Sequence, residues 1–284
     1  MTHSIIQDPK VVIYEKDFFT KCHLRPETVL DKGLCGQIVL ASLLERPDTK
    51  FIVKKFCLKN KEKKARHKSV FKREVKFMQS LAHDYLTTCI AAARCPGYLA
   101  IFMKYYGRGT LDLYVGEIGL DLAEQCVLQV ACALRYMHKN KLVHLDVKLD
   151  NIFLDEQHDA VLGDFGMAAE LKPGQQALAK RNIGGTSGYF APEWIAATKD
   201  VELDPYKLDS YSLGVVLWSL VFEQGPEENI HYYYETRKRR DIQEHIRDML
   251  LRLLNRCPGT RITITDLLAR VRRDSKYRII IDNN

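Results

Sequence analysis

The stretch 143–151 reads VHLDVKLDN, a histidine, two aspartates, a lysine and an asparagine set between aliphatic residues, and its reading decides the fold. Polar groups packed this closely inside an apolar segment ask for a chemical use. Asp146 can accept a hydroxyl proton or orient the hydroxyl, Lys148 can neutralise charge on a transferred group, and Asn151 offers an amide oxygen to a hard cation. Thirteen residues beyond Asn151 comes LGDFGMA, where Asp164 supplies a carboxylate for the same cation and Gly166 permits a sharp backbone turn. Mg²⁺ takes one or two protein oxygens and completes its octahedron with phosphates and water, a scheme that Asn151 and Asp164 suit.

The 284 residues are 46% hydrophobic, enough for a full core in one large domain or two packed lobes, so disorder is not the reading. A formal charge of +7 favours acidic partners only weakly. Much of the excess sits in two runs, KNKEKKARHK at 59–68 and TRKRR at 236–240, each read as a solvated helix or loop face before a docking patch. Nucleic-acid binding through these runs is not expected, because they lack interleaved aromatics and any recognition module. The eight cysteines form no C-x-x-C pair and no zinc spacing, which predicts free thiols in a reducing compartment. Asp, Pro, Lys and Glu interrupt the first residues before a secretory apolar region can form, so the cytosol or nucleus is expected. The longest apolar run, LGVVLWSLVF at 213–222, is too short for a membrane helix and reads as a buried core helix.

Along the chain, residues 24–58 have strand character, two β-rich runs joined through the turn-forming ERPD. Residues 66–82 follow with helical periodicity. TTCIAAA and YLAIFMKYY then bracket a turn at Pro96-Gly97, and from 110 onward helix signals dominate. Asp121 and Glu124 have the spacing of a capping box. The chain thus divides into an N-terminal flank (1–23), a small sheet-rich lobe with one helix (24–104), a hinge in KYYGRG (105–109), a larger helical lobe (110–275) and a tail (276–284). A cleft between the lobes would hold the hinge.

The N-terminal lobe carries its own chemistry. Gly33 and Gly36 in DKGLCGQIVL would let backbone approach phosphates, with Ile38 covering a ring, although two glycines alone are equally a turn. Alternation in FIVKKF points Lys54 and Ile52 to one face and Lys55 to the other. A lysine facing a cleft needs a counter-charge, and Glu74 in FKREVKFM is the natural one; a lysine so held is fixed to bind nucleotide phosphates.

Together these residues resemble the eukaryotic-type protein kinases over about 24–272. The resemblance implies an α+β, bilobal protein kinase fold, with a small antiparallel β-sheet N-lobe carrying one helix and a larger, mainly helical C-lobe. It implies ATP and Mg²⁺, with a glycine loop at Gly33 and Gly36, a phosphate lysine at Lys54 and its partner at Glu74. The catalytic base falls on Asp146, the phosphate-neutralising lysine on Lys148, and the metal ligands on Asn151 and Asp164. Met103 would back the adenine pocket, Lys104 and Tyr105 would begin the hinge, and Phe153 would floor the pocket. Ala191-Pro192-Glu193 closes the activation segment, with Arg261 pairing Glu193, Asp209 anchoring a buried helix and His144 bracing Phe165. Lys148 and GGTSGYFAPE resemble the serine/threonine branch, which predicts that Thr186 bonds near Asp146 and Lys148. The HLD triplet resembles the Mos kinases at those positions, and the short C-lobe suits a minimal kinase such as a viral one, which would reside in a host cytoplasm or nucleus.

Four positions depart from the family pattern. Asp31 replaces the first loop glycine and sets a carboxylate near phosphates; Ile52 and Phe153 tighten the adenine slot. Leu145 removes the arginine that commonly grips an activation-segment phosphate, and residues 165–185 contain no Ser, Thr or Tyr for it to read. The expected function is transfer of the ATP γ-phosphate to Ser/Thr hydroxyls of protein substrates without dependence on activation-loop phosphorylation. The alternative is a pseudokinase scaffold acting by partner binding. Cys35 and Asp150 read as a filler residue and a possible contact for basic substrates.

Overall fold

The computed structural model describes residues 10–15, 17–33, 36–273 and 275–282. The chain forms two compact units, one from residues up to Ala82 together with Thr87–Tyr106, the other from His83–Leu86 and the chain after Gly107. The first unit is sheet-rich and the second mainly helical, the α+β organisation that the resemblance implies.

In the first unit the chain runs through β1 (Val12–Ile13), α1 (Phe18–Lys21), β2 (Leu24–Gly33), β3 (Gly36–Leu43), β4 (Lys50–Cys57), α2 (Lys61–Ser80), β5 (Cys89–Cys95) and β6 (Tyr98–Lys104). The strands form one sheet in the order β1-β5-β6-β4-β3-β2, antiparallel except for the β1–β5 pair. Alternation in β4 sends Val53 and Lys55 to one face and Ile52, Lys54 and Phe56 to the other. Phe56 meets Phe71 of α2 at 5.6 Å between ring centroids, and α2 buries Val70, Phe71, Glu74, Val75, Phe77 and Met78. The opposite face is covered by α1, whose Phe18 and Phe19 join Val39, Ala41, Val53, Ala93 and Ala100 in one core. Gly97, at φ 84°, makes the tight β5–β6 turn that an L side chain would strain.

Helix α2 begins at Lys61, earlier than the periodicity at 66 suggests. Asn60 caps it, its side chain accepting from the amides of Glu62 and Lys63, and the basic run supplies good helix formers without an apolar stripe. The flank read for residues 1–23 also needs correction. Asp17 caps α1, donating no proton but accepting from the Phe19 amide, and β1 adds to the sheet edge. Elements this short have no intrinsic signal and take their order from the sheet they cover.

The second unit runs through α3 (Leu120–Lys139), β7 (Leu142–Val143), β8 (Ile152–Leu154), β9 (Ala160–Leu162), β10 (Ala169–Glu170), β11 (Leu178–Ala179), α4 (Pro192–Ala196), β12 (Glu202–Leu203), α5 (Pro205–Phe222), α6 (Tyr232–Lys238), α7 (Glu244–Leu253), α8 (Ile264–Val271) and α9 (Ser275–Asp282). Its centre is α5, opened by the Asp204 cap and Pro205 in the first turn, with Leu213, Val215, Val216, Leu217 and Leu220 buried. This is the core helix predicted from LGVVLWSLVF, and among the described residues no helix is long and apolar enough to cross a membrane.

Two expectations fail here. Asp121 and Glu124 do not form a capping box: the N-cap of α3 is Gly119 without a side-chain bond, and Glu124 is buried. Its carboxylate accepts from the Tyr277 hydroxyl, and His245 Nε2 lies 3.1 Å from its other oxygen. The tail read for 276–284 carries most of α9, where Tyr277 is buried and Arg135 donates to the Ile281 carbonyl at 3.1 Å. Glu124 was reserved for a tertiary partner 153 positions away, which local spacing does not reveal.

Candidate active site

In the first unit, register places four of the predicted residues on one sheet face. Lys54 lies opposite Ile38 and Ile101, and Ile52 opposite Leu40 and Met103. Directly opposed residues share a face, and Ile52 and Lys54 share theirs by alternation. Lys54 and Glu74 are buried, and the lysine Nζ donates to Glu74 Oε1 at 2.8 Å. Burial of either charge alone would cost several kcal/mol on the order set by desolvation, so each holds the other in place.

Gly33 faces Gly36 at the end of the β2–β3 hairpin. Gly36 has φ 133°, and a Cβ there would sit 2.2 Å from the Lys55 carbonyl oxygen, so only glycine lets the hairpin lie against β4. Asp31 is exposed and opposite Ile38, next to a register shift. Lys104 is exposed and Tyr105 half-buried, while Cys35 lies outside the described residues.

The second unit gathers Thr186, Lys148 and Asn151 around Asp146. The Thr186 hydroxyl donates to Asp146 Oδ1 at 2.7 Å and accepts from Lys148 Nζ at 3.1 Å, as the sequence predicts. Lys148 Nζ itself stands 3.9 Å from Asp146 Oδ2. Asn151 Nδ2 donates to the Asp146 carbonyl at 2.9 Å and to Oδ2 at 3.2 Å. With its nitrogen turned to Asp146, the amide presents its oxygen away from that carboxylate, the orientation a hard cation would need. Asp164, exposed, accepts the Gly166 amide at 3.1 Å through Oδ1. Among the described residues no group of three or more His, Cys, Asp or Glu side chains could hold a metal, but one carboxylate and one amide oxygen fit Mg²⁺, which keeps water and phosphate in its shell. Phe153 is half-buried in β8.

The loop holding these groups is bent at two non-glycine residues in the left-handed region, Leu145 at φ 63° and Asp164 at φ 58°. Such backbone needs outside support. Buried Asp209 supplies it for the first, its carboxylate accepting from the amides of His144 (2.9 Å) and Leu145 (2.8 Å), with His138 Nε2 at 2.8 Å. His144 ties the two bends. Its Nδ1 accepts the Asp146 amide at 3.3 Å, so Nε2 carries the proton donated to the Gly163 carbonyl at 3.0 Å. Its ring stands 5.5 Å from Phe165, the brace the resemblance implies. The buried Arg261 guanidinium grips Glu193 through both nitrogens, at 2.6 and 2.8 Å.

Two residues went unread in the sequence. Tyr189 accepts the Leu149 amide at 3.2 Å, and burial pushes its phenol up, keeping the hydroxyl neutral. Lys180 donates to the Ala197 carbonyl at 2.8 Å and lies 4.3 Å above the Trp194 ring, bracing the segment where β11 pairs with β12. Tyr189 stood inside the quoted GGTSGYFAPE, but nothing in a tyrosine's spacing marks an amide partner forty positions earlier.

A strand lysine clamped by a helix glutamate, and an aspartate loop tied to a threonine and an asparagine, define a phosphotransferase fold. The chain matches the protein kinase domain over residues 26–271 and belongs to that family. It is 26% identical over 266 residues to the probable serine/threonine-protein kinase PLK of Dictyostelium discoideum, covering 89% of this chain and 25% of that protein. It is 27% identical over 256 residues to an Aurora kinase of Patiria pectinifera, covering 84% and 60%. Against the human NUAK family SNF1-like kinase 1 it is 28% identical over 258 residues, covering 85% and 37%. The chain therefore spans between a quarter and three-fifths of the length of these relatives.

Proposed function

We propose that the chain transfers the γ-phosphoryl of ATP to Ser or Thr hydroxyls of protein substrates. The observation that carries this reading is the bonding of Thr186 and Asn151 to Asp146, with Lys148 donating to the same Thr186 hydroxyl. Lys54, fixed by Glu74, binds nucleotide phosphates, while Asp146 orients the acceptor hydroxyl and takes its proton. The new bond joins the hydroxyl oxygen to the γ-phosphorus as the bond to the β–γ bridging oxygen breaks, and Lys148 offsets charge on the moving group. Asn151 and Asp164 would hold Mg²⁺, which when bound neutralises phosphate charge. Ile38, Ile52, Met103 and Phe153 supply apolar surface for the adenine, with Lys104 and Tyr105 beside it.

We further infer that activity does not depend on phosphorylation within 165–185. Leu145 and Ile183 are buried and line one small cavity with Tyr189 and Phe190, so apolar side chains stand where a guanidinium would need a phosphate. Burial of two such aliphatic side chains stabilises by about 1.5–3 kcal/mol each. Lys180 adds a permanent cation to the same segment.

The test is transfer of labelled γ-phosphate from Mg²⁺-ATP to a generic Ser/Thr substrate, with Asp146→Asn as control. Wild-type turnover, lost by at least about a hundredfold in the control, is expected. No turnover in a folded wild type would sink the enzyme reading in favour of a scaffold. Phosphatase pretreatment should leave the rate unchanged; loss traced to a site in 165–185 or to Thr186 would refute the second inference.

A further inference from the structure

The first unit carries a concavity of about 630 Å³ that the reading above does not use. Lys32, Lys55, Lys59, Lys63, His67 and Tyr98 line it, drawn from β2, β4, the start of α2 and the β5–β6 turn. Lys55 alternates with Lys54, so the concavity opens on the α1 side of β4, away from the Lys54–Glu74 pair. Its four ammonium groups have no carboxylate within ion-pairing distance among the described residues. Lys55 is held by aromatic faces, its Nζ lying 4.3 Å from the Tyr98 ring and 5.1 Å from the Phe19 ring. Lys59 lies across Gly97, where an added Cβ would stand 3.1 Å from its Cε. Asp17 also lines the hollow, its carboxylate accepting from the Phe19 amide at 3.0 Å and from the Tyr98 hydroxyl at 2.6 Å.

Four ammonium groups against the one Asp17 carboxylate leave the hollow with an excess of positive charge that an anion would offset. We propose that this hollow binds a compact, multiply phosphorylated small anion. The volume lies within the roughly 300–1,000 Å³ of small-molecule sites. One phosphate of a peptide, carrying about two charges, would still leave positive charge in the hollow unmatched. A nucleic acid would want a linear basic track with open aromatic faces, and the Tyr98 face is taken by Lys55.

The test is calorimetric titration of the full chain with inositol hexakisphosphate, without nucleotide or Mg²⁺, near 0.15 M salt, where screening beyond about 8 Å removes diffuse attraction. Saturable one-to-one binding is expected, weakened about tenfold or more by Lys59→Gln with Lys63→Gln, two exposed residues, and unchanged by Arg237→Gln with Arg240→Gln. Added ATP should not displace the probe. Absence of saturable binding, equal loss in both double variants, displacement by ATP, or tighter binding of a phosphoserine peptide or anionic vesicles would each overturn the proposal. Unchanged circular dichroism of both variants separates lost binding from lost folding.

Discussion

Asp209 shows how one side chain can set a catalytic loop. A left-handed residue such as Leu145 costs about 1–3 kcal/mol, whereas each hydrogen bond to a buried carboxylate contributes about 1.5–3 kcal/mol. Asp209 accepts two backbone amides there and meets His138 as well, so the bonds outweigh the strain. Asp209→Ala should lower stability by about 3–5 kcal/mol, read as a shifted urea midpoint, because the amides and His138 lose a buried acceptor together. A change below about 1 kcal/mol would show that packing alone holds the bend. The residue types at the site were legible: Lys54, Glu74, Asp146, Lys148, Asn151 and Asp164 each have chemistry that their spacing exposes. Tyr189 and Lys180 were not, because their partners are a backbone amide and a backbone carbonyl, which leave no trace in residue identity.

At the scale of elements, the clearest addition is the cover on the sheet. Phe18 is fully buried between the sheet and Tyr14, with Phe102 at 5.8 Å, so α1 belongs to the core of the first unit. Phe18→Ala should cost about 3–5 kcal/mol in denaturant unfolding. Ile13, 72% exposed on the edge strand, should tolerate alanine within about 0.5 kcal/mol. Similar costs at the two positions would mean that α1 only rests on the surface. The strands β3 to β6 and the helices α2, α3 and α5 were legible because each carries enough periodic apolar residues to announce its buried face. The two-residue β1, the four-residue α1 and the eight-residue α9 carry too few, and the start of α2 is charged throughout.

Across the whole chain, the thiols sort by environment. No disulfide joins the described cysteines, and burial pushes Cys126 up to about 12 and Cys89 and Cys132 up to about 11. Cys257 is exposed, and the amides of Thr260 and Gly259 hold its thiol below the ordinary value. A lowered value means more thiolate at a given pH, so iodoacetamide should label Cys257 ahead of Cys89, Cys126 and Cys132, with a lead that shrinks as pH rises above the Cys257 value toward theirs. Peptide mass spectrometry after brief labelling of the native protein checks this; equal labelling of all four would contradict the burial pattern. By itself the sequence determined the family, the α+β order of elements and the identities of the candidate site residues, since these rest on residue type and local spacing. Tertiary structure alone decided that Leu145 and Ile183 line one small cavity, that Glu124 serves Tyr277 instead of a helix cap, that α1 covers the sheet, and that four lysines share one hollow. Those outcomes depend on contacts between residues far apart in the chain, whose energies come from burial and pairing that no local window contains.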